Sequence, residues 1–254
     1  MRQVPALKQR GGDEPAAHYL LIGDGRLARH FAHYLKLENI AFDQWSRKSG
    51  GELESLSERS THVLLAISDS AIEPFLNGHS FLRAHPCIHF SGALVSPICA
   101  GVHPLMTFGP ELYSLDEYRA IPFILERDRK TELPGFTNVT VELSPELKPL
   151  YHALCTASGN FTVMLWEAVF ERFNSIGLPR EILFPYLVRT VQNLLTAHKG
   201  ESVLTGPLKR GDFKTIEKHL TALDGDPLGE IYRAFVETSL SRTSPVPFPL
   251  GGLV

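Results

Sequence analysis

Two glycines spaced two apart, with an alanine three residues further on, form the part of this sequence best suited to holding an anion. In His18-Tyr19-Leu20-Leu21-Ile22-Gly23-Asp24-Gly25-Arg26-Leu27-Ala28, an apolar run that reads as a buried strand enters G-x-G-x-x-A and then helical sequence. Gly23 would permit a tight turn, Gly25 would let the backbone approach a pyrophosphate, and Ala28 would let the helix pack closely on the strand. The free N–H groups and positive dipole end of that helix would then face the phosphates, with Asp24, Arg26 and Leu27 completing the loop.

The tip of the next strand is where such a nucleotide would present its adenosine ribose. That strand ends Phe42-Asp43-Gln44-Trp45-Ser46-Arg47-Lys48, which leaves two readings. Ser46, Arg47 and Lys48 at the tip offer a hydroxyl and two cations to the 2′-phosphate of NADP. Asp43 could instead bind the ribose hydroxyls of NAD, although it stands inside the apolar run, and a solvated basic loop would need no nucleotide at all. S-adenosylmethionine would require an acidic residue at the tip. A third strand leads through Ala66, Ile67 and Ser68 into a helix, a turn expected beside the nicotinamide half, with Asp69 as its N-cap.

These segments need a scaffold that aligns strand ends. Short apolar runs at 18–22, 40–45, 62–67, 87–90, 121–125 and 139–143 alternate with amphipathic segments, which predicts an α/β fold with a Rossmann-type, mainly parallel sheet over 18–143. From Ser144-Pro145-Glu146-Leu147 the period becomes helical, so residues 144–240 are expected to form an all-α domain. Its first helix runs to about Ser175, loosened at Gly159, and others follow Pro179, Asp212 and Pro227. Residues 1–17 and 241–254 read as loose tails.

Composition narrows the class. The chain has 254 residues, 43% hydrophobic and 21% charged, with a formal net charge of -3. That balance argues against nucleic-acid and anionic-membrane partners. No apolar run is long enough to cross a bilayer and residues 1–17 lack a secretory apolar core, which points to the cytoplasm. Cys87, Cys99 and Cys155 sit in apolar sequence as expected of reduced thiols. His85, Cys87 and His89 alternate along a strand, more simply explained as its side chains than as metal ligands.

Taken together, Gly23-Asp24-Gly25, Trp45-Ser46-Arg47, Ala66-Ile67-Ser68-Asp69, His89-Phe90-Ser91-Gly92, the stretch Gly101-Val102-His103-Pro104-Leu105-Met106-Thr107-Phe108 and Leu204-Thr205-Gly206-Pro207-Leu208-Lys209-Arg210-Gly211-Asp212 resemble Rossmann-like proteins with a C-terminal helical domain. These are distantly similar to 6-phosphogluconate dehydrogenase, ketopantoate reductase and pyrroline-5-carboxylate reductase. The resemblance implies NADP as cofactor, a homodimer, and hydride transfer to a small polar carbonyl or imine at a site between the domains. Related hydroxyacid dehydrogenases carry a catalytic lysine on the first long C-terminal helix. Here the stretch Ser158-Gly159-Asn160-Phe161-Thr162-Val163-Met164-Leu165-Trp166-Glu167-Ala168 has none, so a non-catalytic NADP sensor or partner protein is the alternative. On the enzymatic reading His103 donates a proton and Asn160 offers an amide, with Ser91, Gly92, Thr205, Gly206 and Arg210 around the substrate. His103-Pro104 could equally shape a turn, and Asn160 tie two helices together.

Overall fold

The structure is a computed structural model and describes residues 17–199 and 201–243. Its seven strands are β1 (His18–Ile22), β2 (Ala41–Trp45), β3 (His62–Leu65), β4 (Cys87–His89), β5 (Ala100–Pro104), β6 (Phe123–Glu126) and β7 (Thr140–Leu143), in the spatial order β2-β1-β3-β4-β5-β6-β7. Every neighbouring pair is parallel except β5 with β6. The α/β sheet is therefore mainly parallel, as the alternating runs predict, and an all-helical region follows it.

Central strands are apolar on both faces because both are covered. Tyr19 and Leu21 of β1 join one core with Ala28, Phe31, Ala32 and Leu35 of helix α1 (Arg26–Leu37); Leu20 and Ile22 join another with Ile72 and Leu76. Helix α2 (Leu53–Glu58) and helix α3 (Asp69–Gly78) belong to the second face, through Leu53 in α2 and Ile72 and Leu76 in α3. The spacing 28, 31, 32, 35 is the helical stripe that this packing requires.

Strand β5 is absent from the apolar runs because Ala100-Gly101-Val102-His103-Pro104 has few good strand formers. Pairing on both sides holds it extended: Ile88 and His89 of β4 register with Ala100 and Gly101, and Val102 with Leu125 of β6. The short helix α4 (Leu115–Arg119), started by a Ser114–Glu117 capping box, turns the chain back into β6.

Two compact units divide the chain after Asn160. The first includes a 3-10 turn, Pro145–Leu147, and helix α5 (Lys148–Ser158), which ends at Gly159. The second holds most of α6 (Asn160–Ser175), then the 3-10 turn Arg180–Leu183, α7 (Phe184–Thr196), α8 (Gly206–Arg210), α9 (Phe213–Ala222) and α10 (Pro227–Thr243). Asp212 caps α9 by accepting from the Thr215 N–H at 3.2 Å. The chain thus breaks at Gly159 into two helices rather than running on as one. The tails read at 1–17 and 241–254 fall almost wholly outside the described residues, and α10 reaches Thr243. Among the described residues no helix is long and apolar enough to cross a membrane.

Candidate cofactor and substrate site

The glycine turn is forced by its surroundings. Gly23 has φ +132°, and a Cβ there would lie 2.3 Å from the Ala66 carbonyl oxygen. No larger residue fits. The Gly23 N–H donates to the Trp45 carbonyl at 2.8 Å, while Gln44 Nε2 donates to the Gly23 carbonyl at 2.8 Å. The turn is thereby tied to β2 on one side and packed against the end of β3 on the other.

Helix α1 then starts with Gly25 as N-cap, with no side-chain cap and no acidic residue in its first turn. Its terminal N–H groups and dipole are open to an anion. Gly23, Asp24, Gly25, Arg26, Leu27, Ser46, Arg47, Lys48, Ala66, Ile67 and Ser68 all line a cavity of about 620 Å³, joined by Trp45, Pro74 and Phe75. The residue set fits a dinucleotide: an uncapped helix N-terminus for the pyrophosphate, cations for a phosphate, and an apolar wall for a base.

The three residues at the β2 tip are not equivalent. Ser46 is buried and its hydroxyl is engaged with Ser49, accepting from the Ser49 N–H at 3.1 Å, so it builds the loop. Lys48 Nζ lies 3.1 Å from Asp24 Oδ2. Arg47 is exposed and has no hydrogen-bond or ion-pair partner among the described residues. Asp43 sits two residues before the tip, opposite Leu20, and is held by His18 Nε2 and Arg59 Nη2, each at 3.0 Å. It does not line the cavity.

Beyond β3 the expected cap is displaced by one residue. Ser68 is the N-cap of α3 and makes no side-chain cap bond; Asp69 is the first helical residue. Its carboxylate accepts from Ser91 Oγ at 2.5 Å, which links the β3 and β4 loops. Ser91 in turn donates its N–H to His89 Nδ1 at 3.2 Å, and its hydroxyl accepts from the Leu94 N–H at 2.9 Å.

Ser91, Gly92 and His103 converge inside the first unit, and α5 adds residues that the sequence did not single out. A Cβ on Gly92 would stand 2.5 Å from His152 Cδ2 and 3.1 Å from His103 Nε2, so only glycine admits both imidazoles. His103 Nδ1 is 2.6 Å from the Tyr151 hydroxyl. Burial, reinforced by His152 and Lys148, pushes the His103 pKa down to about 4. The imidazolium proton donor expected near neutral pH is therefore disfavoured: the buried ring rests neutral. Burial first and Cys155 second raise the Tyr151 pKa.

Behind this group lies a buried ion pair, Lys148 Nζ to Glu126 Oε1 at 2.7 Å. This lysine begins α5, ahead of the lysine-free stretch that follows Ser158. Lys148 with Glu126 and Tyr151 with His103 are separated by 22 and 48 residues, and no local spacing announces either pair. Asn160 is exposed at the start of α6, and Thr205, Gly206 and Arg210 lie in the second unit, where Thr205 is the N-cap of α8.

Comparisons with known proteins fit this geometry. Residues 134–239 match the profile of a family described as a domain of unknown function, DUF2520. A protein from Bacteroides fragilis, titled provisionally as an NADP oxidoreductase, superposes with TM-score 0.71 at 19% identity, covering 88% of this chain and 98% of that one. Protein TM1727 from Thermotoga maritima gives 0.60 at 22%, covering 87% and 96%. Plasmodium falciparum pyrroline carboxylate reductase, solved with NADP bound, gives 0.55 at 14%, covering 91% and 98%. No curated protein matches in sequence. At these identities the likeness is one of fold: a Rossmann-type domain followed by a helical region, shared with structures titled as reductases.

Proposed function

We propose that the protein is an NADP-dependent oxidoreductase that transfers a hydride between the nicotinamide and a small polar carbonyl or imine. The observation that carries the reading is the union, in one cavity, of an uncapped helix N-terminus with an arginine at the β2 tip that has no partner among the described residues. The neighbour solved with NADP bound adds support.

Gly23 and Gly25 would admit the pyrophosphate, Arg47 would take the 2′-phosphate as a forked donor with Lys48 beside it, and Trp45, Pro74 and Phe75 would flank the adenine. Bound NADPH supplies the hydride. Ser91, Gly92 and His103 would surround the reacting group, held by the Asp69–Ser91 bond. His103 Nε2 would give its proton to the substrate oxygen or nitrogen while Nδ1 takes the Tyr151 hydroxyl proton, and solvent would reprotonate Tyr151. Asn160, Thr205, Gly206 and Arg210 remain proposed substrate ligands.

A homodimer through the helical region belongs to the same reading. Leu194 and Leu195 of α7 are 65% and 78% exposed, Phe235 of α10 is 58% exposed, and the described core of this unit comprises only Ile216, Leu220 and Val236 with Leu208, Tyr232 and Leu240 against it. Such an excess of exposed apolar surface calls for a partner, and a second copy is the economical one.

The test combines titration calorimetry with NADPH and NADH and oxidation of NADPH against a panel of small ketones and imines. Tighter NADPH binding with turnover is expected. Equal affinities would end the Arg47 assignment, and tight binding without turnover on any substrate would favour a sensor.

A further inference from the structure

Helix α5 is held to the sheet by its polar side chains. Lys148, Tyr151, His152 and Cys155 stand at i, i+3, i+4 and i+7, which is one helical face. Lys148 meets Glu126 of β6, Tyr151 meets His103 of β5, and His152 lies against Gly92. The apolar Leu150 and Leu154 are instead 59% and 61% exposed, and among the described residues neither apolar core of the sheet includes a residue of α5. Apolar burial therefore does not decide where this helix sits.

Two contacts place α5 along β5. Gly101 and His103, two apart on the strand, share a face, and α5 meets them in the same order: Lys148 Nζ over Gly101, then the Tyr151 hydroxyl 2.6 Å from His103 Nδ1. A Cβ on Gly101 would stand 2.3 Å from Lys148 Nζ and 2.6 Å from Glu126 Oε1, so the ion pair occupies the space a side chain there would take. Enclosed and charge-assisted, the pair is the stronger of the two contacts. A slip of α5 by one residue, about 1.5 Å along its axis with a turn of about 100°, would swing the Tyr151 hydroxyl off His103. Buried ion pairs add little net stability over apolar packing, and fixing a register is their best-attested use.

We propose that Lys148 and Glu126 are positioning residues: their ion pair sets the register of α5 on β5 and so holds the Tyr151 hydroxyl on His103 Nδ1. With that hydroxyl donating, the neutral imidazole keeps its proton on Nε2, the nitrogen that faces Gly92. The titratable and charged groups around His103 are Tyr151, His152, Lys148 and Asp69. The consequence for catalysis rests on the proposed reductase reading, in which His103 hands that proton to the substrate.

Long-range proton–nitrogen NMR on the full chain labelled with 15N-histidine tests it, with Tyr151→Phe as the reference for a His103 ring that has lost its partner. Lys148→Met with Glu126→Leu removes both charges together. At pH 7 the His103 Nδ1 signal of this double variant should move from the wild-type position to that of Tyr151→Phe; a wild-type signal in the folded double variant overturns the positioning role. Gly101→Ala keeps both charges, crowds the pair with a methyl, and should move the signal the same way. Failure of both variants to fold would show a clamp on the whole sheet and overturn the proposal as well. On any ketone or imine that the wild type reduces, kcat of the double variant should fall at least about tenfold with KM little changed, and an unchanged kcat counts against it. NADPH titration separates the two claims. Neither residue lines the cofactor cavity, so the double variant should bind NADPH as the wild type does. Binding lost in the double variant alone would place the damage in the sheet and overturn the assignment, whereas absent binding in the wild type would sink the cofactor reading and leave the NMR result standing.

Discussion

Lys148 and Glu126 meet at 2.7 Å with their side chains 5% and 1% exposed, an ion pair enclosed between the first residue of α5 and the end of β6. Removing one partner leaves the other buried and uncompensated. Lys148→Met should cost about 3–5 kcal/mol in urea unfolding, and Lys148→Met with Glu126→Leu should recover much of the loss, since paired apolar replacement is often neutral. Additive losses in the double variant would show that the pair is not coupled.

Arg47→Ala should weaken NADPH binding about ten- to a hundredfold, or about 1.5–3 kcal/mol, and leave NADH binding unchanged. Calorimetric titration of both cofactors reads the difference. A parallel loss for both would mean that Arg47 meets something other than the 2′-phosphate.

Gly23→Ala must both adopt φ +132° and place a methyl 2.3 Å from the Ala66 carbonyl. The strain should cost about 1–3 kcal/mol or more and abolish NADPH binding. Gly25→Ala meets nothing within 4 Å, so it should fold normally, and any loss of binding there reports contact with the ligand itself.

Two buried histidines contribute to the acid response. His89 and His103 both have pKa values lowered to about 4, chiefly by burial. A depressed folded value means that the unfolded chain takes up the proton first, starting near the ordinary 6.5. Stability is therefore full above about pH 6.5 and falls as pH drops towards 4, by about 3 kcal/mol for the wholly buried His89 and by less for half-buried His103. Urea unfolding at pH 7 and pH 4.5 should show the drop, and His89→Asn should shrink it; an unchanged drop would place its origin elsewhere.

Leu194→Glu with Leu195→Glu should convert a homodimer into a monomer in light scattering at micromolar concentration. A monomeric wild type would contradict the proposed assembly directly.

Legibility in the sequence follows the reach of local signals. The glycine turn, the β2 tip and the end of β3 were visible because each is a short segment with a fixed job at a strand end, and all three meet at the same cavity. Strand β5 was not, because pairing with β4 and β6 overrides the weak strand propensity of Gly101 and Pro104. Tyr151 and Lys148 carry no local signal for a related reason: their partners are set by how α5 packs, and a hydroxyl or ammonium on a helix looks solvated until its neighbours are known. The neutral state of His103 likewise comes from burial rather than from any adjacent residue in sequence.

From β3 onward the spatial order of the strands repeats their order along the chain, β3-β4-β5-β6-β7. Only the first three strands, ordered β2-β1-β3, require the chain to loop back. A nascent chain leaving the ribosome at about 5–20 residues per second can thus complete the nucleotide-facing edge once β3 has emerged, then add each later strand to an edge already in place. The helical unit emerges after β7. The exposed leucines of α7 therefore leave the ribosome only after all seven strands have done so.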